Sequence, residues 1–300
     1  MLEIGGHHAS AGSSVSSANL EQGIAHAERV LQLYRPEYDP LIITFFADHS
    51  ASASRGWHVA ALAALGYLDR AQQVAREMRA FFEQLGHGQT HAQGLMFLFL
   101  HATVCRDYAK AEELGRDMKR AGEQYGLPAY VVFGEYFLQC TTMDPVLITQ
   151  ATHAVRDMFG FKCMTIGMSV MRLADAQLAA GDAKAALAAV EGGLEWLRTQ
   201  EEYYFEPEIL RTRGDALCAM GDLAAAEENY EAAISVARSH KARLFELRAT
   251  MGLCRVWQKR SRAADAVSAL RPVYEWFTEG LDTIDLRDAR ALLDELGARV

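Results

Sequence analysis

Proline and cysteine are scarce in this sequence, and long apolar runs are absent. Six prolines in 300 residues leave few obligatory helix breaks, and the alternating Val, Ile and Thr runs of strands are nearly missing, so the composition favours helix throughout. Five cysteines without a C-x-x-C pair argue against a disulfide framework and against a zinc site. The apolar run from Gly94 to Leu100 is too short to cross a membrane.

Positive charge is also in short supply. The formal net charge is -9, and no basic stripe offsets the repulsion that nucleic acid phosphates would meet. The first residues lack the charged start and continuous apolar segment of a signal peptide. We therefore expect a cytoplasmic protein without a nucleic-acid or membrane partner.

A period of about 40 residues runs through the chain. Its clearest unit is Gly214 to Ala237, and Ala174 to Leu194 repeats the layout one period earlier. Each unit predicts a helix, a break and a second helix whose first buried residue is small, which lets the two antiparallel helices approach closely. These positions are Ala71, Ala111, Ile148, Ala186, Ala226 and Ala266, of which only Ile148 is bulky. The breaks are Gly66, Arg106, Met143, Gly181, Gly221 and Ser261, where Gly and Asp end one helix and cap the next.

The repeat resembles the tetratricopeptide repeat (TPR), although its period is longer than the usual 34 or so residues. The resemblance rests on Gly214, Ala216, Gly221, Ala226, Tyr230 and Ala233. Two segments, Leu65 to Glu77 and Leu270 to Leu296, look like the C-terminal TPR region of bacterial multidomain signalling proteins that also carry a cyclase and an ATPase. This sequence has no G-x-x-x-x-G-K-[ST] loop and no cyclase segment. The resemblance therefore implies a sensor or interaction module without those activities.

These patterns predict an all-α, right-handed TPR-like α-solenoid of about six helix pairs. A helix over residues 19–34 would be a leading half-repeat, and a helix from Leu286 to Leu296 would cap the other end. Residues 19–300 would form one superhelical domain. Residues 1–18 are rich in Gly, Ser and Ala, and we expect them to be a disordered tail.

The first helices of the repeats are expected to line an inner surface that binds partners. Counting back from each break gives three rows of inward-facing positions, apolar in the middle repeats and charged in the last ones. An apolar patch with a charged rim is typical of a groove for an amphipathic helix or an apolar peptide. The predicted binding residues are Met96, Leu100, Tyr130, Phe133, Phe137, Met168, Met171, Arg211, Arg248 and Arg255. A register error would instead make these residues part of the core.

The three arginines of that set allow two interpretations. They could clamp the carboxylate or phosphate of an anionic ligand. They could equally form ion pairs with Asp215 and Glu208 on neighbouring turns, and we favour this second interpretation.

The segment Asp48 to His58 reads DHSASASRGWH and holds the residue types of a hydrolase triad. No nucleophile elbow of the G-x-S-x-G kind accompanies it, so we interpret its serines as caps at the start of a helix. His87 and His91 are four residues apart, but glycines flank His87, so a helix entry is favoured over a metal site. We predict no catalytic residue, no metal and no cofactor.

Three functions fit the sequence. The favoured one is a non-catalytic scaffold or regulatory module that binds a protein or peptide on the inner surface. The second is a sensor in which the central methionine and aromatic side chains enclose a small apolar or anionic molecule. The third is an atypical enzyme that uses groups such as Asp48, His49, Asp175 or Asp215.

Overall fold

The computed structural model describes residues 2–45, 49–159 and 164–297. Over these ranges the chain consists of helices joined by short turns and contains no strand. The predicted all-α fold class is confirmed. Contacts between residues divide the chain into two compact units, Met1–Thr141 (unit 1) and Thr142–Val300 (unit 2).

Unit 1 is built from helical hairpins. Its helices are α1 (Leu2–Ser16), α2 (Leu20–Leu33), α3 (Asp39–Phe45), α4 (Ser50–Leu65), α5 (Leu68–Leu85), α6 (Gly88–Val104), α7 (Tyr108–Gln124) and α8 (Pro128–Thr141), with a 3-10 turn at Pro36–Tyr38. Within it α4 packs against α5, its hairpin partner, and also against α6, the first helix of the next hairpin. Hairpins therefore stack side by side through their first helices.

Unit 2 follows the same plan. Its helices are α9 (Pro145–Phe159), α10 (Met164–Ala179), α11 (Ala183–Gln200), α12 (Glu206–Ala219), α13 (Leu223–Ser239), α14 (Arg243–Lys259), α15 (Ala263–Glu275) and α16 (Ile284–Gly297). Each first helix packs against the next one, α10 against α12 and α12 against α14. The last helix, α16, packs against both α14 and α15, so the predicted closing cap is confirmed.

The predicted row of small residues is buried without exception. All six side chains have 0% exposure: Ala71, Ala111, Ile148, Ala186, Ala226 and Ala266. In unit 2, Ala226 and Ala233 lie in one cluster with Tyr230 and with Leu253 of α14. Ile148 shows that a larger side chain is also accommodated at this position.

Five of the six predicted breaks are left-handed turns, and Met143 is the exception. Gly66, Arg106, Gly181, Gly221 and Ser261 all have positive φ angles, between 59° and 93°. This conformation lets the chain leave one helix and enter the next within three residues. The next helix is then capped by an aspartate in four of the hairpins: Asp107, Asp144, Asp182 and Asp222 each accept a hydrogen bond from a backbone N–H two or three residues ahead.

Ser261 offers a test of these turns. At φ 59° its Cβ is strained, a cost that glycine avoids. We expect Ser261→Gly to raise the free energy of unfolding by about 1 kcal/mol, measured by urea denaturation. Gly221→Ala, at φ 86°, is the reciprocal change and should lower it. Equal effects of the two substitutions would contradict the assignment of strain.

The prediction of a disordered tail over residues 1–18 is wrong. Residues Leu2–Ser16 form α1, which packs against α2 and α4. Ile4, Ala11 and Val15 recur at helical spacing and are buried, and the small residues around them let α1 lie close to α2. A Cβ on Gly23 would stand 2.6 Å from Val15. The predicted leading half-repeat is thus the second helix of a complete hairpin.

Candidate functional site

The binding residues predicted in unit 1 differ in how much surface they offer. Met96 and Tyr130 are half-buried, whereas Leu100 and Phe133 are 3% and 8% exposed. Phe137 has no exposed surface, because its ring stacks on Phe99 at 3.9 Å with 5° between the planes. Phe137 is therefore a core residue and not a ligand-facing one.

The methionines predicted in unit 2 are also largely enclosed. Met168 is 0% exposed and Met171 is 8% exposed. Helix α10 packs against α9, α11 and α12. Met168 has no exposed surface and is therefore a core residue of α10, not a ligand-facing one.

Arginine and carboxylate side chains of unit 2 form a linked network on the first helices. Arg211 of α12 donates from Nε to Glu208 at 3.2 Å and from Nη1 to Asp215. Arg248 of α14 donates from Nη1 to Glu208 at 3.1 Å. It also donates from Nε and Nη2 to the two carboxylate oxygens of Asp285 on α16, at 3.0 and 2.7 Å. The favoured ion-pair interpretation is confirmed for Arg211 and Arg248.

One further helix joins this network through a hydrogen bond, and an ion pair on another helix interacts with it electrostatically. On α10, Arg172 donates to Asp175 at 3.1 Å. On α13, the Tyr230 hydroxyl donates to the second oxygen of Asp215 at 2.5 Å. Among the predicted arginines, Arg255 is exposed and belongs to none of these bonds.

The network mixes buried and accessible groups. The Glu208, Asp285 and Arg172 side chains are at most 6% exposed, whereas Asp175 and Asp215 each keep 31% of their side-chain surface. Four carboxylates face three guanidinium groups. These paired side chains together therefore carry one more negative than positive charge, and two of the carboxylates are accessible.

The pKa shifts follow from this arrangement. Burial disfavours the cation of Arg211, but Glu208 and Asp215 outweigh burial and hold the pKa of Arg211 well above its ordinary value. Burial raises the pKa of the Asp175 carboxyl, and the opposing effect of Arg211 and Arg172 compensates only in part. Burial, reinforced by Asp215, raises the pKa of Tyr230. Tyr230 is thus a neutral hydrogen-bond donor. At Asp175, the neighbouring arginines offset only part of the effect of burial on the carboxylate.

Sequence reasoning missed Arg172, Tyr230 and Asp285 as members of the network. Arg172 lies three residues before Asp175, a helical pair spacing that could have been recognised. Asp285 lies on α16, and it reaches Arg248 only because α16 packs against α14. No pattern in the local sequence predicts that packing.

The triad-like segment forms a different cluster from the one its letters suggest. His49 Nε2 lies 3.1 Å from Asp39 Oδ1, which also accepts a hydrogen bond from the Tyr34 hydroxyl at 2.7 Å. Asp48 lies outside the described residues. Helix α4 begins at Ser50, as predicted, but its N-cap is His49 and no side chain caps it. The serine-cap interpretation is therefore wrong.

The same cluster contains buried polar atoms that lack hydrogen-bond partners. The hydroxyls of Ser50 and Ser54 and the Nδ1 atom of His49 find none within the described part of the chain. Burial lowers the pKa of His49 against the effect of Asp39. His49 is therefore a neutral, enclosed imidazole.

The described residues offer neither a cluster of metal ligands nor a membrane-spanning helix. The described residues contain no group of three or more His, Cys, Asp and Glu side chains placed to hold a metal ion. Over the same ranges, every helix is too short or too polar to cross a bilayer. His87 is the N-cap residue of α6, which confirms the helix entry predicted between the repeats.

Comparison with known proteins gives a likeness in structure only. The sequence matches no protein-family model and no curated protein. Among solved structures, the chain is similar to a Rap protein complexed with competence and sporulation factor, with a TM-score of 0.62 and 14% identity over 99% of this chain and 88% of that chain. The apo form of RapI gives 0.46 and 12% over 97% and 86%, and the TPR2AB domain of yeast Sti1 in complex with pHSP90 gives 0.34 and 12% over 98% of both chains. The first likeness establishes the predicted fold class, a TPR-type α-solenoid.

Proposed function

We propose that this chain is a non-catalytic module that binds a protein or peptide partner on its first-helix surface. The Rap protein with the similar fold was solved in complex with the competence and sporulation factor. Proteins with this fold can therefore bind a ligand. The observation that carries the proposal for this chain is the arginine–carboxylate network of unit 2, which fixes several charged groups in place before any partner arrives.

The charge of the network indicates the chemistry of the partner. Asp175 and Asp215 are the accessible members, and carboxylates outnumber guanidinium groups among the paired side chains. A lysine or arginine side chain, or the amino terminus of a peptide, would supply the missing positive charge. Because burial raises the pKa of Asp175, such a group would also favour its ionised form. Arg172, Arg211 and Arg248 already have carboxylate partners, so the network suits a basic partner better than an anionic one.

Unit 1, taken by itself, offers a separate candidate surface for apolar groups of a partner. Met96 and Tyr130 keep accessible surface there, and Phe133 is 8% exposed. Methionine suits such a surface because its flexible side chain repacks around different groups.

A peptide array tests this function. We expect the chain to select peptides with basic residues, and Asp175→Asn to weaken the binding of a selected peptide by about tenfold, the effect of losing one charged hydrogen bond. Glu195→Gln, at an exposed position of α11, is the matched control and should leave binding unchanged. Titration calorimetry of both variants measures the two effects.

Two results would contradict the proposal. One is an array without preference for basic peptides. The other is equal affinity of the wild type and the Asp175→Asn variant for every selected peptide.

We further infer a cytoplasmic regulatory role related to the repeat regions of bacterial cyclase and ATPase signalling proteins. The segments that carry this resemblance form α5 and the α15–α16 end of unit 2. None of the four described cysteines forms a disulfide, which fits a reducing compartment.

A further inference from the structure

A cavity of about 240 Å³ lies in unit 1, and none of the residues that line it belongs to the proposed peptide site. Helices α5 and α7 supply its walls, and α6 contributes side chains between them. Its size is slightly below the roughly 300–1,000 Å³ of pockets for drug-sized ligands. We propose that this cavity binds a small oxyanion, a molecule with a carboxylate or phosphate group.

The walls of the cavity are positive although the protein is acidic. Arg76 and Arg79 line it from α5 and Lys110 from α7, and Asp107 is the one carboxylate among the residues that line it. Asp107 is engaged as the cap of α7, where it accepts a hydrogen bond from the backbone N–H of Lys110 at 3.0 Å. The chain as a whole has a net charge of -9, so an excess of cationic side chains around one cavity is unusual for it. Binding of an anionic ligand would explain this excess.

The cations are available to a ligand. Arg79 pairs with Glu83 at 3.3 Å and Lys110 with Glu113 at 2.8 Å, but both carboxylates are about half exposed. Ion pairs at such exposure contribute little and exchange easily. The Nη2 atom of Arg79 is buried and finds no partner among the described residues. An oxyanion would satisfy it.

Neutral groups of the cavity add hydrogen-bond donors. Burial lowers the pKa of His101 to about 4, so the ring is neutral near pH 7. Its Nε2 lies 3.1 Å from Oε1 of Gln72, and since an amide oxygen only accepts, Nε2 carries the proton. The amide nitrogen of Gln72 then remains as a donor. Donors of this kind, beside arginine and lysine, are the groups that bind carboxylates and phosphates.

Cys105 supplies a reporter for the site. Its sulfur lies 3.7 Å from Nδ1 of His101, and it lines the cavity while half-buried. A ligand in the cavity would shield this thiol from a reagent. Cys218, half-buried in unit 2, is an internal control in the same molecule.

The experiment follows the alkylation of each thiol by iodoacetamide, a neutral reagent, with peptide mapping by mass spectrometry. Inorganic phosphate and succinate are the two probes, and sodium chloride at matched ionic strength is the reference. We expect one or both probes to slow the alkylation of Cys105 severalfold and saturably, without an effect on Cys218. The more effective probe identifies the oxyanion class.

Variants place the binding in the cavity. Arg79→Gln combined with Arg76→Gln keeps good helix formers on α5 and should weaken the protection at least about tenfold. Arg120→Gln, an exposed arginine of α7 that does not line the cavity, should leave it unchanged. Absence of protection by either probe, or equal protection in the double variant, would overturn the proposal. Asp175 lies in unit 2 and does not line the cavity, so Asp175→Asn should not alter the protection of Cys105. The peptide-site proposal and the oxyanion-site proposal are therefore tested independently.

Discussion

Replacing Arg248 with methionine is expected to lower the free energy of unfolding by about 3 to 5 kcal/mol. The Arg248 side chain is 10% exposed, and its guanidinium group binds Glu208 and both oxygens of Asp285, whose side chains are 4% and 2% exposed. Methionine fills similar space but leaves these carboxylates enclosed without the cation that they surround. Removing one member of a buried ion cluster costs more than the cluster contributes, because the remaining charges stay out of water.

Urea denaturation of the variant measures this loss. Arg255→Met is the matched control, since Arg255 lies on the same helix and is exposed, and its effect should stay within about 0.5 kcal/mol. Arg248→Lys keeps the charge but loses the two-pronged contact with Asp285, so an intermediate loss is expected. Similar midpoints for Arg248→Met and Arg255→Met would show that the network does not stabilise unit 2.

The pattern of hairpins was predictable because it depends on local chemistry repeated at a fixed interval. Ala186 and Ala226 are small where two helices meet, and Gly181 and Gly221 have the positive φ angles of left-handed turns. Each of these signals lies within one hairpin. Six repetitions in register then reinforce one another, and a single exception such as Ile148 does not break the pattern.

The binding surface was harder to predict because it depends on neighbours. Phe137 has the same sequence character as Phe133, yet it stacks on Phe99 of the adjacent first helix. Whether an aromatic side chain faces a partner or the next hairpin is decided by a rotation of a few tens of degrees. Spacing within one helix does not fix that rotation.

Composition misled the prediction for the amino terminus. Glycine and serine are typical of flexible segments, but in α1 they allow close packing against neighbouring helices. A Cβ on Gly12 would stand 3.1 Å from the Trp57 ring. Ile4 and Val15 were too few to signal a helix, and the surfaces that bury α1 belong to α2 and α4, which its own sequence does not reveal.

Gly134→Ala and Gly192→Ala are expected to change stability in opposite directions. Both glycines lie inside helices, where alanine is intrinsically favoured by about 1 kcal/mol. Gly192 of α11 has no atom within 4 Å of a built Cβ, so Gly192→Ala should raise the free energy of unfolding by about 0.5 to 1 kcal/mol. At Gly134 of α8 the Cβ would lie 2.6 Å from the backbone nitrogen of Lys119.

The backbone of α7 cannot yield to that contact without separating the two helices. Gly122 makes the reciprocal approach, since its Cβ would lie 2.7 Å from the backbone nitrogen of Val131. We therefore expect Gly134→Ala to lower the free energy of unfolding by about 1 to 3 kcal/mol, the usual cost of overpacking, as measured by urea denaturation. A rise equal to that of Gly192→Ala would mean that α7 and α8 are not held backbone to backbone. The close approach of α7 and α8 therefore depends on these two glycines.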